Sequence, residues 1–250
     1  MNSSYVVRKE RCPECKKLGK DTSQDNLAVY SDGHKWCYSC KYTEFPSQIE
    51  FFKRKQEINT EVDTKLPFLP LDCDVNYPLR ALSWVKQYEL TKEDLYKHSV
   101  LWSESTQRLL FPIFGDGHLI AFQGRDFSFH MDKPKWFGRG NLKDTFNILG
   151  TGNKLVLTED IISAIKVSKC GVMAMPIYGC VIGRERFKRL YKLIDSNTEV
   201  LIWLDPDKRT EATKEAKLGQ LCGINTRTVF SDKDPKEHSF VSIKEILNIS

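Results

Sequence analysis

Four of the eight cysteines of this 250-residue chain lie in two Cys-x-x-Cys pairs close to its start. The pairs are Cys12–Cys15 and Cys37–Cys40, and the other four cysteines are scattered singly. Two such pairs on a segment of this length are typical of a tetrahedral site in which four thiolates bind one zinc ion. A redox-active pair or unrelated free thiols are the alternative. The doubled motif favours a structural zinc site.

The segment between the two pairs has the pattern of a β-hairpin. Residues 26–30 are mostly apolar and predict a strand, residues 31–33 (Ser-Asp-Gly) predict a turn, and residues 34–37 begin the return strand. A segment as short as residues 1–44 has too small a core to fold alone, so the bound metal would supply much of its stability. The sequence therefore predicts a zinc ribbon over residues 1–44.

The composition is that of a globular protein with one or two domains. Hydrophobic residues make up 40% and charged residues 28% of the chain, and the formal net charge of +5 is too weak by itself to indicate a polyanionic partner. No stretch reaches the roughly 18 consecutive apolar residues of a membrane span, and the first residues lack the apolar core of a signal peptide. We therefore expect a protein of the reducing cytoplasm, without a membrane partner, in which paired cysteines bind metal.

Beyond the ribbon, the chain divides into a linker and a two-part globular region. Residues 45–75 are polar and interrupted by prolines, which predicts a semi-flexible linker. Residues 76–153 contain short helical segments and a strong hairpin turn at 115–117, which predicts an α+β region. Residues 154–238 alternate short apolar strands with helices, which predicts an α/β region with a mostly parallel sheet covered on both faces. Residues 239–250 are assigned to a C-terminal tail.

Acidic side chains follow two of the predicted strands, at the point where each strand ends. Glu159 follows the strand at 155–157, and Asp205 and Asp207 follow the strand at 199–204. Because the carboxyl ends of parallel strands meet in one crevice, we expect these three side chains to converge. Converging carboxylates repel one another unless a cation neutralises them, and magnesium suits this role. The alternative is that the aspartates cap the next helix and Glu159 is solvated.

The order of ribbon, linker, α+β region and α/β region resembles that of bacterial and phage-type DNA primases, whose catalytic unit is the Toprim domain. The likeness is closest to the primase half of phage helicase–primases and covers nearly the whole chain. Ser31–Cys40 is similar to the second knuckle of the family's ribbon, and Lys233–Glu237 is similar to its Lys-Asp-x-Asn-Glu stretch. Glu159 matches the Toprim glutamate, and Asp205 and Asp207 match the Asp-x-Asp motif.

The resemblance implies synthesis of short RNA primers from ribonucleoside triphosphates on a single-stranded DNA template. It implies one structural zinc in the ribbon, and catalytic magnesium or manganese held by Glu159, Asp205 and Asp207. No Gly-x-x-x-x-Gly-Lys-Ser/Thr motif occurs in these residues, so a separate replicative helicase and the replisome are the expected protein partners.

Two segments are candidates for contact with nucleotide or template. Residues 124–143 are basic and contain interleaved aromatic residues, a pattern that suits phosphate contacts and base stacking. Arg125 and Lys135 are the best matches to the basic residues of the resembling primases, with solvated surface charges as the alternative. Asp32 and His34, at the tip of the ribbon hairpin, are candidates for reading template bases.

The chain also departs from the family pattern at four positions. Asp160 replaces the glycine of Glu-Gly-x-x-Asp, and Ser163 stands at the position of its aspartate. Thr210 replaces a glycine after the Asp-x-Asp motif, and Lys236 replaces the asparagine of the last motif. Two other functions remain open. One is a Toprim-type nuclease, and the other is a non-catalytic zinc-ribbon DNA-binding or helicase-loading factor.

Overall fold

The structure is a computed structural model and describes residues 6–20, 24–30, 34–44, 67–128 and 133–249. The chain divides into two compact units, Met1–Lys65 and Leu66–Ser250. The predicted turn at 31–33, with Asp32, lies outside the described residues, and so do residues 45–66 of the predicted linker. No helix among the described residues is long and apolar enough to cross a membrane.

The first unit is a four-stranded antiparallel sheet with one short helix. In chain order its elements are β1 (Val6–Glu10), α1 (Pro13–Lys17), β2 (Leu27–Tyr30), β3 (Lys35–Cys37) and β4 (Thr43–Glu44). Strands β2 and β3 form the expected hairpin, with Leu27 opposite Cys37. Three of the four buried residues at its centre are cysteines, accompanied by Leu27. Because so little apolar surface is buried, this unit depends on whatever its cysteines bind.

The second unit begins with an antiparallel sheet whose strands follow one another in sequence order. Its elements are β5 (Cys73–Asp74), α2 (Leu79–Lys86), α3 (Lys92–Lys97), β6 (Leu101–Ser103), β7 (Arg108–Gly115), β8 (His118–Asp126) and β9 (Trp136–Gly140). Asp116 and Gly117 join β7 to β8, and both have positive φ angles, of 49° and 79°. Such a two-residue turn matches the twist of the strands it connects.

A four-stranded parallel sheet follows, in the spatial order β11-β10-β12-β13. Its elements are β10 (Lys154–Thr158), α4 (Ile161–Ser168), β11 (Met173–Pro176), α5 (Arg184–Tyr191), β12 (Glu199–Ile202), α6 (Arg209–Leu221), β13 (Thr226–Thr228) and α7 (Phe240–Leu247). The predicted fold class, a zinc-ribbon-like unit followed by α+β and parallel α/β regions, is confirmed.

Alternate residues of the central strand β10 face the two helical layers of this sheet. Leu155 and Leu157 pack in the cluster that contains α5 and α6, whereas Val156 packs in the cluster that contains α4 and α7. Helix α4 also contributes Ile161, Ile162 and Ile165 to the core of the antiparallel half. This shared helix joins the two halves, so the space beside its first turn is bordered by both sheets.

Two segments have more structure than the sequence patterns indicated. Cys73–Asp74, at the end of the predicted linker, pairs with β6 as β5. The predicted tail contains α7, which begins at the N-cap Ser239 and buries Ile243 and Leu247 four residues apart. Both segments are short, and both are ordered by contacts with distant parts of the chain. The predicted domain limits themselves remain predictions.

Candidate functional site

The four cysteines of the two pairs lie together at one end of the ribbon. Their sulfur atoms all lie within 4.8 Å of one another, and the Cys12–Cys40 and Cys15–Cys37 pairs are each 3.6 Å apart. A tetrahedral zinc ion with Zn–S distances of about 2.3 Å requires sulfur atoms about 3.8 Å apart. Burial raises the pKa of Cys15 to about 12, so thiolates packed this closely need a bound cation. The cluster fits one structural zinc.

Each pair also contributes a backbone donor to its first sulfur atom. The Cys15 N–H donates to Cys12 Sγ at 3.5 Å, and the Cys40 N–H donates to Cys37 Sγ at 3.5 Å. The first of these hydrogen bonds arises because Cys12 is the N-cap of α1. Such donors favour the thiolate form, which is the form that binds metal.

The described part of the hairpin tip places aromatic rings next to His34. The His34 ring stacks on the Tyr30 ring, with centroids 4.1 Å apart and planes 11° apart. The Lys41 ammonium lies over the ring of Trp36, on β3, at 5.7 Å from the ring centroid. Asp32 lies outside the described residues, so the role of this tip in base reading stays a prediction.

Five acidic residues of the second unit line a cavity of about 390 Å³ between its two sheets. We call it the acidic cavity. One wall consists of residues that follow the strands of the parallel sheet, with Ile162 of α4, and the other consists of residues in or next to α2, β8 and β9. Its lining comprises Trp84, Tyr88, Gln123, Arg125, Lys135, Trp136, Glu159, Asp160, Ile162, Tyr178, Gly179, Asp205, Asp234, Lys236 and Glu237.

Two carboxylates of the acidic cavity, Glu159 and Asp205, each have one buried oxygen without a hydrogen-bond partner among the described residues. The two oxygens are Glu159 Oε2 and Asp205 Oδ1. Burial raises the pKa of Glu159, and it raises the pKa of Asp205 to about 7. A buried unsatisfied oxygen costs about 1–3 kcal/mol, so proteins retain one where a ligand will satisfy it. These two oxygens are the candidate ligands of a cation.

Two further carboxylates of the cavity already have a cationic partner. The Lys236 ammonium lies 2.9 Å from Asp160 Oδ2 and 2.6 Å from Asp234 Oδ2. Asp160 is in addition the N-cap of α4, where it accepts the Ser163 N–H at 2.9 Å. Of the five carboxylates that line the cavity, Asp160 and Asp234 are therefore neutralised by Lys236, whereas Glu159 and Asp205 are not, and Glu237 is exposed.

Asp207 does not line the acidic cavity. Asp205 is the N-cap of a 3₁₀ turn, Pro206–Lys208, and this turn leads Asp207 to an exposed position where it pairs with Lys208. Its charge still raises the pKa of Glu159, after the larger effect of burial. Across the part of the chain that the structure describes, only the cysteines bring three or more candidate ligand atoms within 4.8 Å.

The unpaired carboxylates nevertheless fit magnesium or manganese. Magnesium is usually held by one or two carboxylates, and water and substrate phosphates complete its octahedron. Glu159 and Asp205 supply two such oxygens, one after each of two neighbouring parallel strands. These two carboxylate oxygens therefore suit a cation whose remaining ligands are water molecules and the phosphates of a bound ligand.

The opposite wall of the cavity presents Arg125 within an aromatic cage. Its guanidinium lies 5.1 Å from the Trp84 ring, 5.7 Å from Trp136 and 5.9 Å from Phe127. Its Nε and Nη1 atoms are buried and have no acceptor among the described residues. The neighbouring Arg108 is instead paired with Asp126 at 3.2 Å. Arg125 is therefore oriented by ring contacts, and two of its donors, unpaired among the described residues, are available to an anionic ligand.

Lys135 lines the rim of the same cavity and is exposed. The structure thus brings together Arg125, Lys135, Glu159 and Asp205, and it leaves Asp207 outside. Sequence reasoning missed Trp84, because α2 lies far along the chain from the residues it contacts and an isolated tryptophan carries no signal. The pairing of Lys236 with Asp160 had a signal, since both residues depart from the family pattern.

Comparison with solved structures supports one fold for the whole chain. The zinc-binding and RNA polymerase domains of the Aquifex aeolicus primase superimpose with a TM-score of 0.55 at 16% identity, covering 99% of this chain and 79% of that one. The chain has the fold of a DNA primase. The catalytic domain of the DnaG primase, solved with single-stranded DNA, matches with a TM-score of 0.50 at 14% identity, covering 70% of this chain and 76% of that one.

The primase fragment of the bacteriophage T7 primase-helicase protein matches with a TM-score of 0.49 and 16% identity, covering 98% of each chain. No protein-family model matches the sequence. A search of curated proteins also finds no match. The resemblance to zinc-ribbon primases inferred from the sequence is confirmed as a likeness of fold, and the primase fold extends over the ribbon as well as the parallel sheet.

We predict that the primase-fold chain binds about one zinc ion and that Cys37→Ser abolishes binding, because a tetrahedral site loses a ligand. Cys222→Ser is the matched control, since Cys222 lies at the end of α6, and it should retain full zinc content. Elemental analysis by mass spectrometry of the purified proteins measures this. A reduced wild-type protein without zinc would contradict the assignment.

We also predict that Asp205→Asn stabilises the protein in buffer without divalent cations. A carboxyl pKa raised from 3.8 to about 7 means that the folded state holds its proton more tightly than the unfolded state does. The wild-type free energy of unfolding therefore falls as the pH rises from the lower to the higher of these two pKa values. Asparagine does not titrate, so the variant has no such pH-dependent loss of stability. The Tm difference between variant and wild type should grow from about pH 5 to about pH 8.

Asp116→Asn, at the exposed β7–β8 turn, is the control for this measurement and should show no such trend. A Tm of Asp205→Asn below that of wild type across the whole range would show that Asp205 has a stabilising partner.

Proposed function

We propose that this protein is a DNA primase, a template-dependent RNA polymerase that makes short RNA primers on single-stranded DNA for replication. The observation that carries the proposal is the acidic cavity of a chain with the primase fold. One wall of the cavity contains Glu159 and Asp205, each with a buried oxygen that has no donor among the described residues. The other wall contains Arg125, whose Nε and Nη1 have no acceptor among them. A metal-bound triphosphate carries the charges that would satisfy both walls.

Primer extension joins the 3′-hydroxyl of one nucleotide to the α-phosphate of the next, and pyrophosphate leaves. A bound magnesium or manganese ion would neutralise the phosphates and lower the pKa of the attacking hydroxyl. Glu159 and Asp205 would hold this ion, and Asp207, which lies outside the cavity in this structure, would join them only if its carboxylate left Lys208. The alternative role for Glu159 is to accept the proton of the hydroxyl, for which the raised pKa of its buried carboxyl would suit it.

Arg125 would bind phosphate oxygens of the incoming nucleotide. A guanidinium presents paired donors that match phosphate geometry, and the surrounding rings limit its rotation. Preorganised donors of this kind stabilise the charge that develops as pyrophosphate leaves. Lys135, exposed at the rim, would contact the template backbone or the outer phosphates.

The ribbon would read the template through Asp32 and His34. His34 lies within a stacked aromatic pair, and such a pair offers a platform for an unpaired base. A separate replicative helicase and the replisome are the proposed protein partners, and the cytoplasm is the proposed location.

We predict that the zinc-loaded protein makes labelled primers from ribonucleoside triphosphates, magnesium and single-stranded DNA. Asp205→Asn should lower the rate by at least about 100-fold, because the charge that would hold the cation is removed. Asp116→Asn removes the same charge from an exposed turn and should leave the rate unchanged. Denaturing gel electrophoresis of the products measures both.

The same assay distinguishes the other two candidate functions. Cleavage of the DNA strand without primer synthesis would identify a nuclease that uses the same carboxylates. DNA binding without either activity, on any template and with any helicase partner, would identify a loading factor. Either result would contradict the primase proposal.

A further inference from the structure

Lys236 is held inside the acidic cavity by contacts at both its ends. Its backbone carbonyl accepts a hydrogen bond from Lys166 Nζ at 3.1 Å, and Lys166 is almost fully buried. Its side chain is 15% exposed and extends to Asp160 and Asp234, with N–O distances of 2.9 and 2.6 Å. The ammonium is therefore a fixed positive charge of the site.

This ammonium occupies the position that a metal ion would need between these two carboxylates. A divalent cation at Asp160 and Asp234 would require their oxygens at about 2.0–2.2 Å, so it would have to displace the ammonium. Displacement would break two charge-assisted hydrogen bonds, which are among the strongest polar contacts in a protein. The Asp160–Asp234 pair is therefore closed to a divalent cation while Lys236 is in place.

The other pair of carboxylates has no such competitor. Glu159 Oε2 and Asp205 Oδ1 are buried and unpartnered among the described residues. Lys236 forms no hydrogen bond to Asp205 in this structure. Its positive charge only lowers the pKa of the Asp205 carboxyl, against the larger opposite effect of burial. The two residues that contact each other, Asp160 and Lys236, are also two of the positions at which the chain departs from the family pattern.

We propose that Lys236 is a built-in cation that limits the acidic cavity to one divalent cation, bound by Glu159 and Asp205. The inference rests on the proposed function, because it assumes that the cavity binds a divalent cation at all. Lys236 is a positioning residue: its ammonium supplies locally the charge that a second metal ion would otherwise bring. Removing this ammonium would free Asp160 and Asp234 as a second pair of ligands.

The test is the number of Mn²⁺ ions bound by the zinc-loaded full chain, measured without nucleotide from the electron paramagnetic resonance signal of free Mn²⁺. Wild type should bind about one ion, and Lys236→Gln should bind about two, because a second carboxylate pair becomes available. Lys244→Gln removes the same charge from an exposed position on α7 and should bind about one ion. Lys236→Arg keeps the charge and should also bind about one ion.

The wild-type result tests the proposal even if Lys236→Gln does not fold. Two Mn²⁺ ions on wild type, or a folded Lys236→Gln variant that still binds one, would overturn the role of Lys236. Primer synthesis by the same wild-type preparation would then show that the proposed function stands without it. If wild type binds no Mn²⁺ and makes no primers, the proposed function itself fails, and the inference fails with it.

Discussion

The parallel pairing of β10 with β12 determines where the acidic side chains of this protein lie. Leu157 lies opposite Ile202, so both strands leave the sheet at the same edge and in the same direction. The residues that follow, Glu159 and Asp205, therefore meet in one cavity although they are far apart in the sequence. In an antiparallel pairing, the two strands would end at opposite edges of the sheet, and these two residues would lie far apart.

The second constraint is charge, because the same edge carries more carboxylates than the protein neutralises. Lys236 pairs with Asp160 and Asp234, whereas Glu159 and Asp205 each keep one buried oxygen without a donor among the described residues. Across the cavity, the aromatic cage holds Arg125, two of whose donors have no acceptor in the described part of the chain. Such unpaired groups cost stability, and a fold retains them where a ligand relieves the cost. The distribution of paired and unpaired groups therefore points to the place of the ligand.

Much of this arrangement could be predicted from local patterns. The cysteine spacing predicted the four-thiolate cluster, and the alternation of apolar strands and helices predicted the parallel sheet, which in turn located Glu159 and Asp205. Contacts between distant segments could not be predicted in this way. The position of Asp207 depends on a 3₁₀ turn that begins at Asp205, and the cage around Arg125 depends on α2 packing near β8. Helix α7 looked like a tail because its apolar residues gain a partner only in the folded sheet.

Anomalous diffraction from a crystal of the zinc-loaded protein soaked in Mn²⁺ would locate the metal site directly. We expect an anomalous peak at the manganese edge within about 2.0–2.2 Å of a carboxylate oxygen of both Glu159 and Asp205. Lys236 should remain between Asp160 and Asp234 in that crystal. A cavity without manganese, with both carboxylates still unpaired, would contradict the claim that these two residues form the metal site.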